Sequence, residues 1–395
     1  MIFLKKANKW ISAVIAMILV CALTTGCAFA GTSDNAGTTA PSISLEPTET
    51  TPVTEGSTAA PETTQNSIKD SFQSTRGEEN LWYVPNAWVE NSDSWAIYSL
   101  GDNLLLKSAS LDEIHLILVS AKDGSTIAEY RSPDPADTSV EGAQYIQVIA
   151  DHVAVFNEFD ATIEILDASL ETVAQYPHPA KDAIDLYLGA DLKTLYVFDI
   201  LNQVQRIDLE SGERSVLLDK YDYIGFHGHD EDAVFGISDH SANADYAVRL
   251  DLESGTIVTG PVDGYYLDFV DSMDNVWLYL DFPSGVPVYD LWIDDRHVQL
   301  DGDWVTIRLL KDRKHILRNE ELNKKLYLYD VDGTFLSSCD APNFYDYEGL
   351  DFAWNEELGG YFIYVTPSGA DEERGPRLYF WDISVPRDGE PLYQP

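Results

Sequence analysis

Two patterns in the sequence hold residues that could do chemistry. The first is the run HGHDED, His227 to Asp232, with Asp239-His240 close behind it. Histidines at i and i+2 on a strand share a face, and two imidazoles so placed suit zinc. A catalytic zinc also needs a third protein ligand and an open coordination position. The plainer reading is an exposed polar loop at the end of a strand. It is preferred, and His227 and His229 remain metal candidates only against it. The second pattern sets an acid beside an aromatic: Asp93-Ser94-Trp95, Asp222-Tyr223, Asp263-Gly264-Tyr265, Asp303-Trp304, and Asp346-Tyr347 with Tyr345 before it. Aromatic faces pack on the C–H faces of sugars while carboxylates accept from hydroxyls. The same groups would hold a cation through charge and ring quadrupole. Alternatively the rings wedge between packed layers while each Asp closes a turn. Trp95, Asp222, Tyr223, Asp263, Tyr265, Asp303, Trp304, Tyr345 and Asp346 thus form a candidate binding face.

Other chemistries find less support. Asp330 to Gly333 reads DVDG, but a calcium loop opening at Asp330 needs Glu at its twelfth position, where Ala341 stands. Neither calcium nor zinc is therefore expected as a cofactor, and DVDG reads as a turn. Nucleophile elbows, phosphate loops and a Ser/His/Asp order are not evident. A pair of carboxylates for glycoside hydrolysis needs a set separation, which a sequence this acidic does not reveal. Asp222, Asp263, Asp303 and Asp346 are the candidates for that alternative, a hydrolase or lyase acting on carbohydrate.

The elements that must position these residues are strands. NLLLKSA, IHLILVSA, TIEILDA, TLYVFDI and KLYLYDV alternate apolar and polar residues and are bounded by Gly, Asp and Asn. No long apolar pattern of helical period occurs. RIDLESGE at Arg206 recurs as RLDLESGT at Arg249, 43 residues on. Its core is an apolar residue, then Asp, then a tight turn. Leu166-Asp167, Ile207-Asp208, Leu250-Asp251, Ile293-Asp294, Tyr329-Asp330 and Trp381-Asp382 share it, and Val119-Ser120 takes the same place first. The steps between them are 47, 41, 43, 43, 36 and 52 residues. That is the spacing of blades of four antiparallel strands, so an all-β, seven-bladed β-propeller is expected over residues 80–395. Gly124, Gly212, Gly255, Gly333 and Gly389 are expected to supply the positive φ of the hairpins. In such a ring the acid–aromatic pairs fall in the loops leading into the inner strands, around one mouth of the channel.

GADLKTLYVFD, Gly189 to Asp199, with VQRIDLESGERSVLL, Val204 to Leu218, resembles the YVTN and WD40-like group of bacterial propellers. The resemblance covers roughly Asn80 to Pro395 and implies the architecture. It implies no activity, because that fold carries binders, scaffolds, lactonases and lyases alike. Gly228-His229 and Trp381-Asp382 do not fall within one blade, unlike WD40 proper.

The N-terminus reads as an export signal. Lys5, Lys6 and Lys9 precede an apolar stretch from Trp10 to Leu23, whose 14 residues fall short of the ~20 that span a bilayer. Thr24-Thr25-Gly26-Cys27 resembles the lipobox of bacterial lipoproteins, which implies a signal peptide over 1–26 and lipid on Cys27. Ordinary cleavage near Ala30 is the alternative. The stretch 27–79 is rich in Thr, Ser, Pro and Glu and is expected to be a disordered tether. With 25 basic and 67 acidic residues the chain carries −42, which excludes nucleic acid as a partner. Of three cysteines, only Cys339 remains for the folded part, so a buried free thiol is expected there. The expected partners are the membrane, through the lipid anchor, and a glycan, peptide or protein. The expected location is the extracytoplasmic face of a cell membrane, and the expected role is a non-catalytic binding platform.

Overall fold

The computed structural model describes residues 72–74, 80–85, 94–109, 113–132, 144–178, 183–199, 201, 203–219, 222–228, 232–239, 244–263, 269–281, 287–301, 305–341, 347–367, 377–385, 387 and 389–392. All regular structure among them is strand, and no helix there is long and apolar enough to cross a membrane. β1 (Gln73–Ser74) and β2 (Leu81–Tyr83) come first in the chain but join the last sheet. The first sheet is β3 (Ser94–Leu100), β4 (Asn103–Ala109), β5 (Ile114–Val119) and β6 (Thr126–Arg131). The second is β7 (Gln144–Ile149), β8 (His152–Asn157), β9 (Thr162–Leu166) and β10 (Thr172–Pro177). The third is β11 (Ala183–Leu188), β12 (Thr194–Asp199), β13 (Val204–Asp208) and β14 (Arg214–Leu218). β15 (Asp222–Gly228), β16 (Asp232–Asp239), β17 (Ala244–Asp251) and β18 (Ile257–Asp263) make the fourth. β19 (Phe269–Met273), β20 (Val276–Asp281), β21 (Val288–Ile293) and β22 (Arg296–Asp301) make the fifth. The sixth is β23 (Val305–Leu309), β24 (His315–Glu320), β25 (Lys325–Asp330) and β26 (Phe335–Asp340).

These six sheets are antiparallel meanders in chain order. The last has five strands, ordered β1, β2, β29 (Arg377–Asp382), β28 (Gly360–Pro367) and β27 (Tyr347–Asn355). The expectation of seven like blades is corrected accordingly: six regular four-stranded blades are joined by a five-stranded sheet assembled from both ends of the chain. The expected start of the fold at Asn80 also moves. Phe72 and β1 lie within the stretch read as disordered, and the Phe72 ring is buried against Phe362 and Phe380, at 6.2 and 6.0 Å.

First strands neighbour one another, β7 with β11, β15 with β19, β19 with β23 and β27 with β3, which sets them around a common axis. The architecture is a β-propeller. Apolar clusters fill the gaps between sheets. Leu105 and Leu116 meet Val153 and Leu166 between the first and second, and Ile163 meets Leu195 between the second and third. Leu317 and Leu328 meet Ile363 and Trp381 between the sixth and last, and Leu104 and Ile117 meet Phe362 and Phe380 between first and last. A central strand such as β5 is buried throughout because a neighbouring sheet covers each of its faces, whereas outer β6 is largely exposed.

The recurring apolar-Asp pairs stand at or just after the ends of third strands, β5, β9, β13, β17, β21, β25 and β29. The two near-identical peptides build the same hairpin twice. Gly212 N–H donates to Asp208 O and Gly255 N–H to Asp251 O, at 2.7 and 2.9 Å, with φ of 73° and 71° at the glycines. The backbone N–H and hydroxyl of Ser211 hold the Asp208 carboxyl below its ordinary range, and Ser254 does the same for Asp251. Gly389 departs from expectation. It has no positive φ and instead lies flat on Phe335, where a Cβ would come within 2.4 Å of the ring.

Candidate functional site

The acid–aromatic residues that can be located sit at one end of their sheets. Trp95 is the second residue of β3, opposite Ser108. Asp222 and Tyr223 open β15, opposite Ser238 and Ile237, and Asp263 closes β18 opposite Tyr246. Strands one and four run in opposite directions, so a first-strand start and a fourth-strand end share an edge of the ring. Tyr265, Asp303, Trp304, Tyr345 and Asp346 lie outside the described residues, as do Cys27 and His229. His227 sits towards the far end of β15, opposite Val234. Among the described residues no group of three or more His, Cys, Asp or Glu side chains is arranged to hold a metal ion. The DVDG turn is a hairpin whose Asp330 accepts from the N–H groups of Asp332 and Thr334. Cys339 is buried in the core between the sixth and last sheets.

Around the axis the polar side chains follow a different logic. Adjacent first strands share no hydrogen-bond ladder, so their facing N–H and C=O groups need other partners. Side chains supply them. Gln147 on β7 both donates to Leu188 O and accepts from Leu188 N, at 2.9 and 2.7 Å. Arg308 on β23 donates to Leu350 O on β27 at 3.1 Å. Asp351 on β27 accepts from Ile97 N on β3 at 2.8 Å, which ties the last sheet to the first.

That last tie lies inside a larger constellation. Lys311, in the turn from β23 to β24, puts its Nζ 2.5 Å from Asp351 Oδ2 and 2.9 Å from Ile97 O, and 4.1 Å from the Tyr98 ring centroid. Lys107 on β4 stands close enough to feel both charges. Its ammonium pKa is lowered, first by burial and then by Lys311, with Asp351 opposing. Two ammoniums therefore face one carboxylate at the seam of the ring. Burial, then the Asp351 charge, also pushes the nearby Tyr364 phenol upward.

The rest of the same turn reaches outward. Asp312 Oδ2 accepts from Tyr361 Oη and lies 2.5 Å from His315 Nδ1, which is itself 2.7 Å from Tyr361 Oη. Trp354 leans on both rings, with centroids 5.2 and 5.1 Å away. Burial and the Asp312 charge keep the Tyr361 phenol protonated. Arg313 donates to Ser272 O and lies 3.6 Å from Asp271, while Lys314 reaches Glu356 at 3.6 Å. One turn thus contacts the first, fifth and last sheets. Sequence reading passed over it, although a signal exists: RLLKDRKHILR, Arg308 to Arg318, puts five Lys/Arg and a His into eleven residues of a strongly acidic chain. Chemically the cluster is a network of satisfied ion pairs and hydrogen bonds, with a small excess of positive charge.

No family model and no curated protein matches the chain. Solved structures with related backbones include BamB from Moraxella catarrhalis, 13% identical over 78% of this chain and 93% of that one, with a TM-score of 0.39. The β-propeller domain of Cps50 (Swd1) from Myceliophteria thermophila is 9% identical, covering 77% of this chain and 99% of that one, with a TM-score of 0.47. The WD40 domain of coronin from Toxoplasma gondii is 10% identical, covering 80% and 87%, with a TM-score of 0.48. At such identities and TM-scores the likeness carries nothing about family or ligands.

Proposed function

We propose that this chain is an exported lipoprotein, anchored through Cys27, whose propeller binds a glycan, peptide or protein without transforming it. In this reading residues 28–71 tether the ring away from the membrane, and the five-stranded sheet serves as its seventh blade. The observation that carries the non-catalytic reading is the use made of axial charge. Asp351, Lys311 and Arg308 bridge neighbouring sheets, and Asp312 is engaged by both His315 and Tyr361. These axial charges are thereby occupied in holding the ring. Loops leading into the first strands remain the surface where the repeats differ, which is where scaffolds carry recognition.

The full chain, immobilised through its N-terminal segment, should bind a member of a glycan or peptide panel saturably and release it unchanged. Product appearing with time, and abolished by Asp222→Asn or Asp263→Asn, would replace this reading with the carbohydrate hydrolase or lyase. A chain that retains no panel member would remove the platform reading altogether.

A further inference from the structure

Lys107 on β4 is an exception in a chain with 67 acidic residues. It is half-buried, yet among the described residues its ammonium has no hydrogen-bond acceptor and no salt-bridge partner. Nor is it sealed, since Nζ is not one of the buried polar atoms that lack a partner. An ammonium drawn partly out of water without an acceptor is unfavourable. Its lowered pKa records that penalty, with burial first, the Lys311 charge second, and Asp351 opposing.

Register places its surroundings. Lys107 stands opposite Ala96, and Leu105 opposite Tyr98. Alternate residues of a strand share a face, so Lys107 and Tyr98 are diagonal neighbours on one side of the first sheet. That spacing is within reach of long and aromatic side chains. Lys311 comes to the same tyrosine from the sixth sheet, with Nζ 4.1 Å from the ring centroid.

The donors are only partly used. Lys311 donates to Asp351 Oδ2 and to Ile97 O, at 2.5 and 2.9 Å, and its side chain is 44% exposed. An ammonium has three N–H groups, so one on Lys311 and all of those on Lys107 are unspent. No existing bond has to break before an incoming acceptor is met. Two cations and one carboxylate also leave an excess of one positive charge.

We infer that Lys107 and Lys311 form an anion site at the seam of the ring, taking one small monocarboxylate beside the Tyr98 ring. Charge-assisted hydrogen bonds from both ammoniums would hold the carboxylate oxygens, and its C–H groups would lie on the ring. One negative charge neutralises the local excess, and a second would overfill it. The net charge of −42 opposes any anion at range. At ~0.1 M salt, charges more than about 10 Å away are largely screened, and the local balance decides. The ligand is small because Lys107 is only partly open to solvent. This goes beyond the binding-platform reading and does not depend on it.

The test follows thermal unfolding of the full chain at constant ionic strength, with acetate or butyrate replacing chloride and sulfate as the dianion control. Both carboxylates should raise the midpoint saturably, as ligands of the folded state do. Saturation transfer to their methyl protons should report the contact. Lys107→Gln should weaken binding about tenfold, while Lys107→Arg, which keeps the charge, should retain it. In chloride alone Lys107→Gln should unfold no earlier than the unaltered chain, because it removes an unpaired charge. An earlier midpoint there would make Lys107 a structural cation serving Asp351 and overturn the site. Acetate shifting the unaltered chain and Lys107→Gln equally, or shifting neither, would overturn it too. A sulfate shift as large as that of acetate would overturn the monocarboxylate assignment.

Discussion

Asp351 is the residue on which most depends. It accepts from Ile97 N, faces Lys311 and lies within the field of Lys107, so its removal strands two cations and one backbone donor at once. Lys311 is 44% exposed and Asp351 19%, so the loss expected for Asp351→Ala falls between the ~0.2–1 kcal/mol of a surface pair and the ~3–5 kcal/mol of a buried one, at about 2 kcal/mol. Asp351→Asn keeps an acceptor for Ile97 N and should lose less. Urea unfolding of the two variants at neutral pH gives the comparison. Equal losses would mean that the carboxylate charge is irrelevant and that only the hydrogen bond holds the seam. The opposite condition holds at Asp208 and Asp251, whose charges are satisfied within their own hairpins and hold nothing distant together.

The element on which closure turns is β2, three residues long. It pairs Leu81 with Trp381 and Tyr83 with Tyr379, and it is capped on its outer side by β1. Asn80 reinforces it from the side by donating to Ser338 O and accepting from Asp382 N through its own carbonyl. Phe72 fastens β1 by inserting its ring beside Phe362 and Phe380. Truncating a buried Phe to Ala costs about 3–5 kcal/mol, so Phe72→Ala should lower the full chain's stability by roughly that amount and hasten proteolysis ahead of β2. An unchanged unfolding midpoint would show that closure does not need β1. The six regular blades were readable because five of their third strands end in an apolar-Asp pair and the first ends in Val119-Ser120 at the same place, a signal carried within a few residues. β2 was not, since LWY has no repeat partner and its place depends on a strand some 300 residues away. The axial clamps were hidden for the same reason: Gln147, Arg308 and Asp351 look ordinary until neighbouring strands are brought side by side. Lys107 and Tyr98 become neighbours of Lys311 only through the fold, which no local pattern in WAIYSLGDNLLLKSA reveals.

At the scale of the whole molecule, charge and anchor must be considered together. A net charge of −42 is repelled at range by anionic membrane surfaces, so the protein's overall charge supplies no second attachment signal. A single acyl chain gives only marginal, reversible binding, with an association constant of about 10⁴ M⁻¹. Stable attachment against that repulsion therefore requires more than one chain on the proposed anchor, Cys27. Two expectations follow from one cause. Cys27→Ser should move the protein from the membrane to the soluble fraction, and high salt should not release the unaltered protein, because screening weakens a repulsion and not an attraction. Fractionation of expressing cells, with mass spectrometry of the mature N-terminus, measures both. If the serine variant stays with the membrane, or if salt elutes the unaltered chain, the lipid-anchor reading fails and the Thr/Pro-rich stretch has some purpose other than tethering.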